Sequence, residues 1–440
     1  MTMEAIIATS RFGFAARDGD LAAVAGDPRG WVVGQLDNRP AQLPAGLPPS
    51  AAMVAAMLQA RQDKKAGEKT DGRDELRAVF VAEIGARMNA AIASESPLLE
   101  RLVFFWSNHF TVSALRPVVR GFVGAFEREA IRPHVTGRFA DMLLAVARHP
   151  AMGFYLDNVQ SIGPSSPFGK RRDKGLNENL GREILELHTL GVDGGYTQQD
   201  VEALARILTG WTIARLRDPS PGSFRFVPQI HEPGAKMLLG RSYAEAGVEE
   251  GEAALRDLAR HPATSRHIAL KLARHFIADA PPQAAIDRIA KRYRDTDGDL
   301  RQVVDAVIAE PAAWQLPFAK VKTPAELVVA ACRASGLKDV PAEGIVGSLR
   351  VLDQPAFVAP SPAGWPDVAA SWISPEAVLR RAEWCQAFAN RLADPPDPVA
   401  ITSSCLGDAL PEETLQAIRR APDRRVGLAL LLASPQFQRR

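Results

Sequence analysis

The sequence predicts a mainly α-helical protein: a large multi-helix single domain over 1–440, with a small β-hairpin or extended insertion near 223–240. Three observations carry this expectation. Apolar residues recur at helical spacing in one segment after another, prolines stand at the ends of those segments, and a single stretch alternates instead.

In chain order the apolar period marks helices over Ala51–Gln62, Asp74–Ala91, Pro97–Phe110, Gly121–Ile131, Arg138–Ala147, Asn177–Leu190 and Thr197–Trp211. It continues over Glu249–Arg260, Thr264–Ile277, Pro282–Tyr293, Asp299–Ala309, Pro324–Ser335, Glu376–Ala393 and Arg424–Leu432. Four of the segments, LLAVARHPAMGF, LRDLARHPATSR, VDAVIAEPAAWQ and LALLLASPQFQR, stop just before a proline. Proline disfavours the α conformation in the residue before it, so each reads as a helix followed by a turn. Their spacing is irregular and excludes a solenoid repeat. Ser223–Gly240, SFRFVPQIHEPGAKMLLG, alternates, breaks at Pro-Gly and resumes, which is the pattern of a short hairpin. Two long loops remain, 153–175 with its basic cluster and 337–372 with PAFVAPSPAGWPD, each a lid or contact surface by its length.

Composition narrows the function classes. The chain is 46% hydrophobic and 24% charged with a formal net charge of +2, so no overall field argues for nucleic acid. Cys332, Cys385 and Cys405 form no C-x-x-C pair and read as buried thiols. The start MTMEAIIATSRFGF lacks a basic region followed by an apolar core, and no apolar run is long enough for a membrane span. The expected compartment is therefore the cytoplasm. Walker loops, G-x-G-x-x-G after a strand, and G-x-S-x-G elbows are absent from the sequence.

The chemistry concentrates in Asn177–Gly195, NENLGREILELHTLGVDGG. On a helical wheel Leu176, Leu180, Ile184, Leu187 and Leu190 form an apolar arc. Glu183 falls inside it, Asn179 and Glu186 lie at its edge, and Arg182 just beyond. A buried carboxylate is costly without a partner, so Glu183 should have either a partner, basic or metallic, or a raised pKa. The partner suggested by the sequence is His109, centred on the buried stripe Leu98, Leu102, Phe105, Trp106 of LLERLVFFWSNHF and flanked by Asn108. Packing of the two helices would bring His109 to Glu183 and Glu186, either as a satisfied core pair or as an acid–base site. The same three residues supply the ligands of a divalent metal reading, with His188 or His231 as a fourth. Arg182 would hold an anionic group or form a helix salt bridge with Glu186.

Other candidates are weaker. Asn108 and Asn179 flank the proposed site, and His231 and Lys236 stand around the QIHEPGAK turn, placed for an anion or carbonyl or simply solvated. His267, Lys271, Arg274 and His275 share one helix face, which suits phosphate or sulfate or plain solvation. Thr197 and Asp200 read as a capping box rather than catalytic residues. DTDGDL reads as an Asp-Gly turn feeding a helix, its glycine being misplaced for a calcium loop.

The segments RFGF, RLVFFWSNHF, NENLGREILELHTLGVDGGYTQQDVEALARILTGW, FRFVPQIHEPGAKMLLG and GWPD, in this order, resemble the bacterial proteins called domain of unknown function 1800. The resemblance runs from near Arg11 to Phe437 and departs from the family pattern at Glu232, where aspartate is usual. It implies a single mainly helical domain and supplies no catalytic residues. It also implies export for many members, and a companion similar to the alkaline phosphatase/sulfatase superfamily. Two function classes follow. One is an enzyme, hydrolytic or metal-assisted, with His109, Glu183, Glu186 and Arg182 at its centre. The other is a non-catalytic helical scaffold or maturation partner of the phosphatase/sulfatase-like companion.

Overall fold

Capping residues and prolines set most helix boundaries. The structure is a computed structural model that describes residues 2–66, 73–172, 175–315 and 318–440. Its main helices are α1 (Met3–Ser10), α2 (Ser50–Lys65), α3 (Arg73–Ala93), α4 (Pro97–His109), α5 (Phe139–Arg148), α6 (Asn179–Glu183) and α7 (Gln198–Ile207). They continue as α8 (Val248–Arg260), α9 (Pro262–Phe276), α10 (Gln283–Asp295), α11 (Leu300–Ala309), α12 (Pro324–Ala334), α13 (Ala342–Val351), α14 (Pro375–Arg391) and α15 (Arg424–Ala433). None of the described helices is long and apolar enough to cross a membrane.

The helix-then-proline element is real and has a shared device. His149 and His261 end α5 and α8, and each turns its Nδ1 onto the amide two residues on, at 3.1 and 3.2 Å, to cap the helix that Pro150 or Pro262 opens. Thr197 and Asp200 form the expected capping box at α7. Asp200 has a second task, accepting the Leu239 amide at 2.7 Å. Asp297 and Gly298, both at positive φ, make the expected turn into α11.

The small β structure lies where the alternation points, but its pairing differs. Phe224–Phe226 (β2) pairs back with Trp211–Ile213 (β1), and Lys236–Leu238 (β3) pairs forward with Arg241–Tyr243 (β4). The physical reason is local: Leu239 and Gly240 both sit at positive φ, the two-residue turn that a tight hairpin requires. Trp211 therefore begins a strand instead of ending a helix, after Gly210 at φ 88° closes the α7 segment. The 337–372 stretch is likewise not all loop, since α13 occupies 342–351 and packs on α3.

Buried apolar residues from α1 through α15 form one contiguous cluster. Ionic contacts are set inside it. Arg101 on α4, 0% exposed, pairs with Glu326, the capping-box acid of α12, and its Nε donates to the Gly13 carbonyl at 2.6 Å. Arg440 donates to the same carboxylate at 3.2 Å and to the His275 carbonyl at 2.8 Å. Arg440 and Arg101 hold Glu326 at about 2 against the burial that opposes ionisation.

Removing one partner from such a pair leaves a buried charge uncompensated. Arg101→Met should cost about 3–5 kcal/mol. Adding Glu326→Gln should recover part of that loss, a coupling that denaturant midpoints of the two single variants and the double variant would read.

Candidate functional site

α4 and α9 face one another across a cavity of about 360 Å³, closed on a third side by the segment 354–367 and bounded at its floor by Glu326. Why α4 presents this face follows from its sequence. Leu98, Leu102 and Phe105 are buried along one stripe, leaving Asn108 and His109 at the helix end to border the cavity. α9 contributes the other wall through His267, Lys271, Arg274 and His275, residues three or four apart and hence on one face.

The third wall is the GWPD segment, fixed by a side chain of α4. The Asn108 amide donates to the Trp365 carbonyl at 2.8 Å and accepts the Trp365 amide at 2.7 Å. Gly364 makes this approach feasible: it sits at φ 81°, and a Cβ there would lie 2.4 Å from the Asn108 carbonyl oxygen. The clamp sets Asp367 against α9. Its Oδ2 accepts the His275 Nδ1 hydrogen bond at 2.7 Å, and Lys320 donates to its carbonyl at 2.8 Å and faces its Oδ1 at 3.1 Å. Burial works against ionisation of Asp367, yet His275 and Lys320 hold it well below the usual carboxylate range. With Nδ1–H given to Asp367, His275 is left with a buried Nε2 that has no hydrogen-bond partner among the described residues. Burial lowers the His275 pKa, Asp367 opposing, so the ring is neutral near pH 7.

The cations divide into matched and unmatched. Arg87 meets Glu127 at 2.6 Å and stacks over Phe104 at 3.9 Å. Lys271 has no hydrogen bond or ion pair among the described residues; burial, opposed by Asp367 and helped by Arg274, brings it down to about 8. Arg274 gives only its Nε, to the Asp279 carbonyl at 3.3 Å. The carboxylates on the cavity, Glu326 and Asp367, are already engaged.

The predicted site residues are distributed differently from the expectation. His109 does reach the Asn177–Gly195 segment, but at its carbonyl end: its Nε2 bonds the His188 carbonyl at 3.1 Å. His267 does the same for the Leu187 carbonyl at 3.0 Å. These carbonyls are available because the helix changes form after Glu183, running as a π-turn over Ile184–His188. The wider turn spoils a wheel drawn at α-helical pitch, so Leu185 and His188, outside its apolar arc, are buried, while Leu187, inside it, is half-buried. His109, 1% exposed among the rings of Phe105, Trp106, Phe110 and Phe139, has a pKa well below its ordinary value, first through burial and then through Lys271.

Glu183 and Glu186 are half-buried and make no hydrogen bond with His109. Glu183 is raised to about 7, by burial first and then by Glu186, and it acts in turn on Tyr155. Arg182 pairs with Glu178 at 3.1 Å rather than with Glu186 and also reaches Gln198 at 2.8 Å. Asn179 is exposed at the start of α6. The metal set His109, Glu183 and Glu186 is not assembled: among the described residues no group of three or more His, Cys, Asp or Glu is placed to hold a metal ion.

His231 and Lys236 are neither solvated nor at the cavity. They are 4% and 5% exposed, and both lie 3.1 Å from Glu250 of α8. His231 Nδ1 also meets the Thr209 carbonyl at 2.8 Å, so this cluster fastens the hairpins to α7 and α8. The 161–168 part of the first long loop is tied to the same region, through Gly163 to Ile230 and Phe168 to Gln229. Residues 173–174 of that loop lie outside the described residues. Sequence reasoning noticed the α9 face and the GWPD motif separately. It missed Asp367, whose advance signal was the motif itself, and Lys320, which lies outside that motif.

The family model described as Protein of unknown function (DUF1800) matches residues 7–439. No curated protein and no solved structure matches the chain.

Glu183 gives a pH test. In the unfolded chain it releases its proton near 4.5, in the folded protein at about 7. Between those values the folded state binds more protons, so this group's contribution is full below the lower value and is lost as pH rises through the upper. Glu183→Gln should therefore match the parent at pH 4.5 and exceed it at pH 8, as denaturant midpoints at the two pH values would reveal.

Proposed function

The chain belongs to the DUF1800 family, and we propose that it is an enzyme of hydrolytic type acting on a small anionic substrate in the cavity between α4 and α9. The observation that carries this reading is the pairing of His275 with Asp367 at 2.7 Å beside two cations, Lys271 and Arg274, that have no hydrogen-bonded carboxylate among the described residues. Both cations are half-buried, and charge held partly out of water without a hydrogen-bonded counterion suits a ligand of the opposite sign.

In this reading Lys271 and Arg274 hold the anionic group and Asp367 fixes the His275 tautomer with Nδ1 protonated. His275 Nε2 takes a proton from the attacking water as its oxygen bonds to the electrophilic centre, and the imidazolium so formed returns that proton to the leaving oxygen as its bond breaks. Apolar walls from Phe104, Phe105, Phe357 and Trp365 exclude bulk water and strengthen each charge interaction inside. His109 and His267 support the site from behind by bonding the π-turn carbonyls. The metal-assisted form of the expectation gains no support from the donor geometry, and the base moves from His109 to His275.

A screen of aryl and alkyl esters of phosphate, sulfate and dicarboxylates tests this. His275→Gln should lower kcat by roughly 10²–10⁴-fold with little change in melting temperature. Unchanged turnover in that variant would remove His275 from the chemistry.

A second reading, the scaffold or maturation partner of a phosphatase/sulfatase-like companion, draws on a separate observation. Val351, Ile373, Val378 and Leu379 are 40–60% exposed, and each adjoins in sequence a residue (Leu352, Trp372, Ser374, Ala377 or Arg380) that lines a cavity of about 300 Å³ beside α14. Exposed apolar groups gathered in this way suit a protein contact. Leu379→Glu should lower co-purification with the companion by at least tenfold while leaving melting temperature unchanged; His275→Gln should leave co-purification intact.

A further inference from the structure

We infer that the anionic group held in the α4–α9 cavity is doubly charged and centred on one atom, namely a phosphate monoester, with an apolar or aromatic remainder. This rests on the proposal that the cavity takes an anionic substrate, and it names the class. The charge balance of the wall is the argument. Arg87 is matched by Glu127, Glu326 is met by Arg101 and Arg440, and Lys320 is shared between Asp279 and Asp367, to which the neutral His275 adds a hydrogen bond but no charge. With Lys271 and Arg274 included, six cations stand against four carboxylates. These two are the ones that face the cavity without a hydrogen-bonded carboxylate among the described residues, Asp367 reaching Lys271 only through space.

These two stand at i and i+3 on one helix, so their side chains start about 5–6 Å apart and converge on one ligand group. A carboxylate or a sulfate ester brings one negative charge to that spot. A dicarboxylate brings two, but spreads them over separate groups. A phosphate monoester places close to two negative charges and three acceptor oxygens on one centre above pH ~6. The guanidinium of Arg274 offers paired donors that match two such oxygens, and the Lys271 ammonium supplies a point charge for the third. The opposite wall, from Phe104, Phe105, Phe357 and Trp365, suits a flat or hydrocarbon remainder.

The test is calorimetric binding of phenyl phosphate, phenyl sulfate and benzoate to the intact protein at pH 7. Phenyl phosphate should bind at least tenfold more tightly than the other two. Lys271→Met and Arg274→Gln should each weaken it at least tenfold. Unliganded Lys271→Met should melt at the same temperature as the parent or higher, because an unmatched charge has been removed, a result that a merely structural lysine would not give. His275→Gln should retain phenyl phosphate binding while losing turnover.

Raising the pH from 7 to 9 should weaken binding as Lys271, at about 8, gives up its proton. The groups around that ammonium are His267, Arg274 and His275 on α9, His109 on α4, His188 on the π-turn and Asp367 on the third wall. The first three histidines and His188 are held neutral by burial, so Lys271 is the one whose loss of charge falls in this range. Equal affinity for the three ligands, or unchanged binding in Lys271→Met, would overturn the phosphate assignment. Tight, Lys271-dependent binding of benzoate would overturn it while leaving the anion-processing enzyme intact. Absence of binding by all three, with His275→Gln still inactive on another ester, would do the same.

Discussion

Glu326 is a carboxylate that must stay ionised where almost no water reaches it. Arg101 and Arg440 neutralise it from opposite sides, and the geometry of much of the protein follows from satisfying that demand. Arg101 belongs to α4, the helix that ends in Asn108 and His109, and its other donors close on Ser10 and Gly13. Arg440 donates to the His275 carbonyl at the end of α9. A single buried charge thereby fixes both helices that face the cavity, and does so at the cavity floor. The arrangement is rigid because Arg101 gives its three nitrogens to Gly13, Glu326 and Ser10 and Arg440 gives Nε to Glu326 and Nη1 to His275, so a shift of either helix would strand a charge.

The fold was legible because its helices are amphipathic and its stops are chemical. Helical period located α4, α7, α9 and α15, and the proline rule placed the ends of α5, α8 and α11. The capping box at Thr197–Asp200 needed only four residues and could be read completely. Pairing was harder. Phe224–Phe226 had two possible neighbours, and the positive φ at Leu239 and Gly240 that decides between them is a backbone property that leucine does not advertise.

The site was legible in pieces. The cationic face of α9 is visible as a spacing, and GWPD as a motif, but His275 and Asp367 are 92 residues apart, and no local rule brings them together. The His109 expectation shows the opposite case. Its burial was readable from Leu98, Leu102 and Phe105, whereas its partner depended on where a helix changes pitch. Glu183 was rightly suspected of being an awkward carboxylate. It meets that difficulty by holding its proton more tightly, burial and Glu186 outweighing the opposing charge of Arg182.

The π-turn at Ile184–His188 works as a length gauge. It holds one residue more per turn than an α-helix, and its last two carbonyls reach two imidazoles on different helices. Deleting a residue there would let the segment relax into ordinary helix, but it would also rotate everything downstream by about a quarter of a turn or more. His109 and His267 would then face side chains instead of carbonyls. Chain length at this point is consequently far less free than composition. Relatives that share the two histidines should tolerate substitutions between 184 and 188 more readily than insertions or deletions.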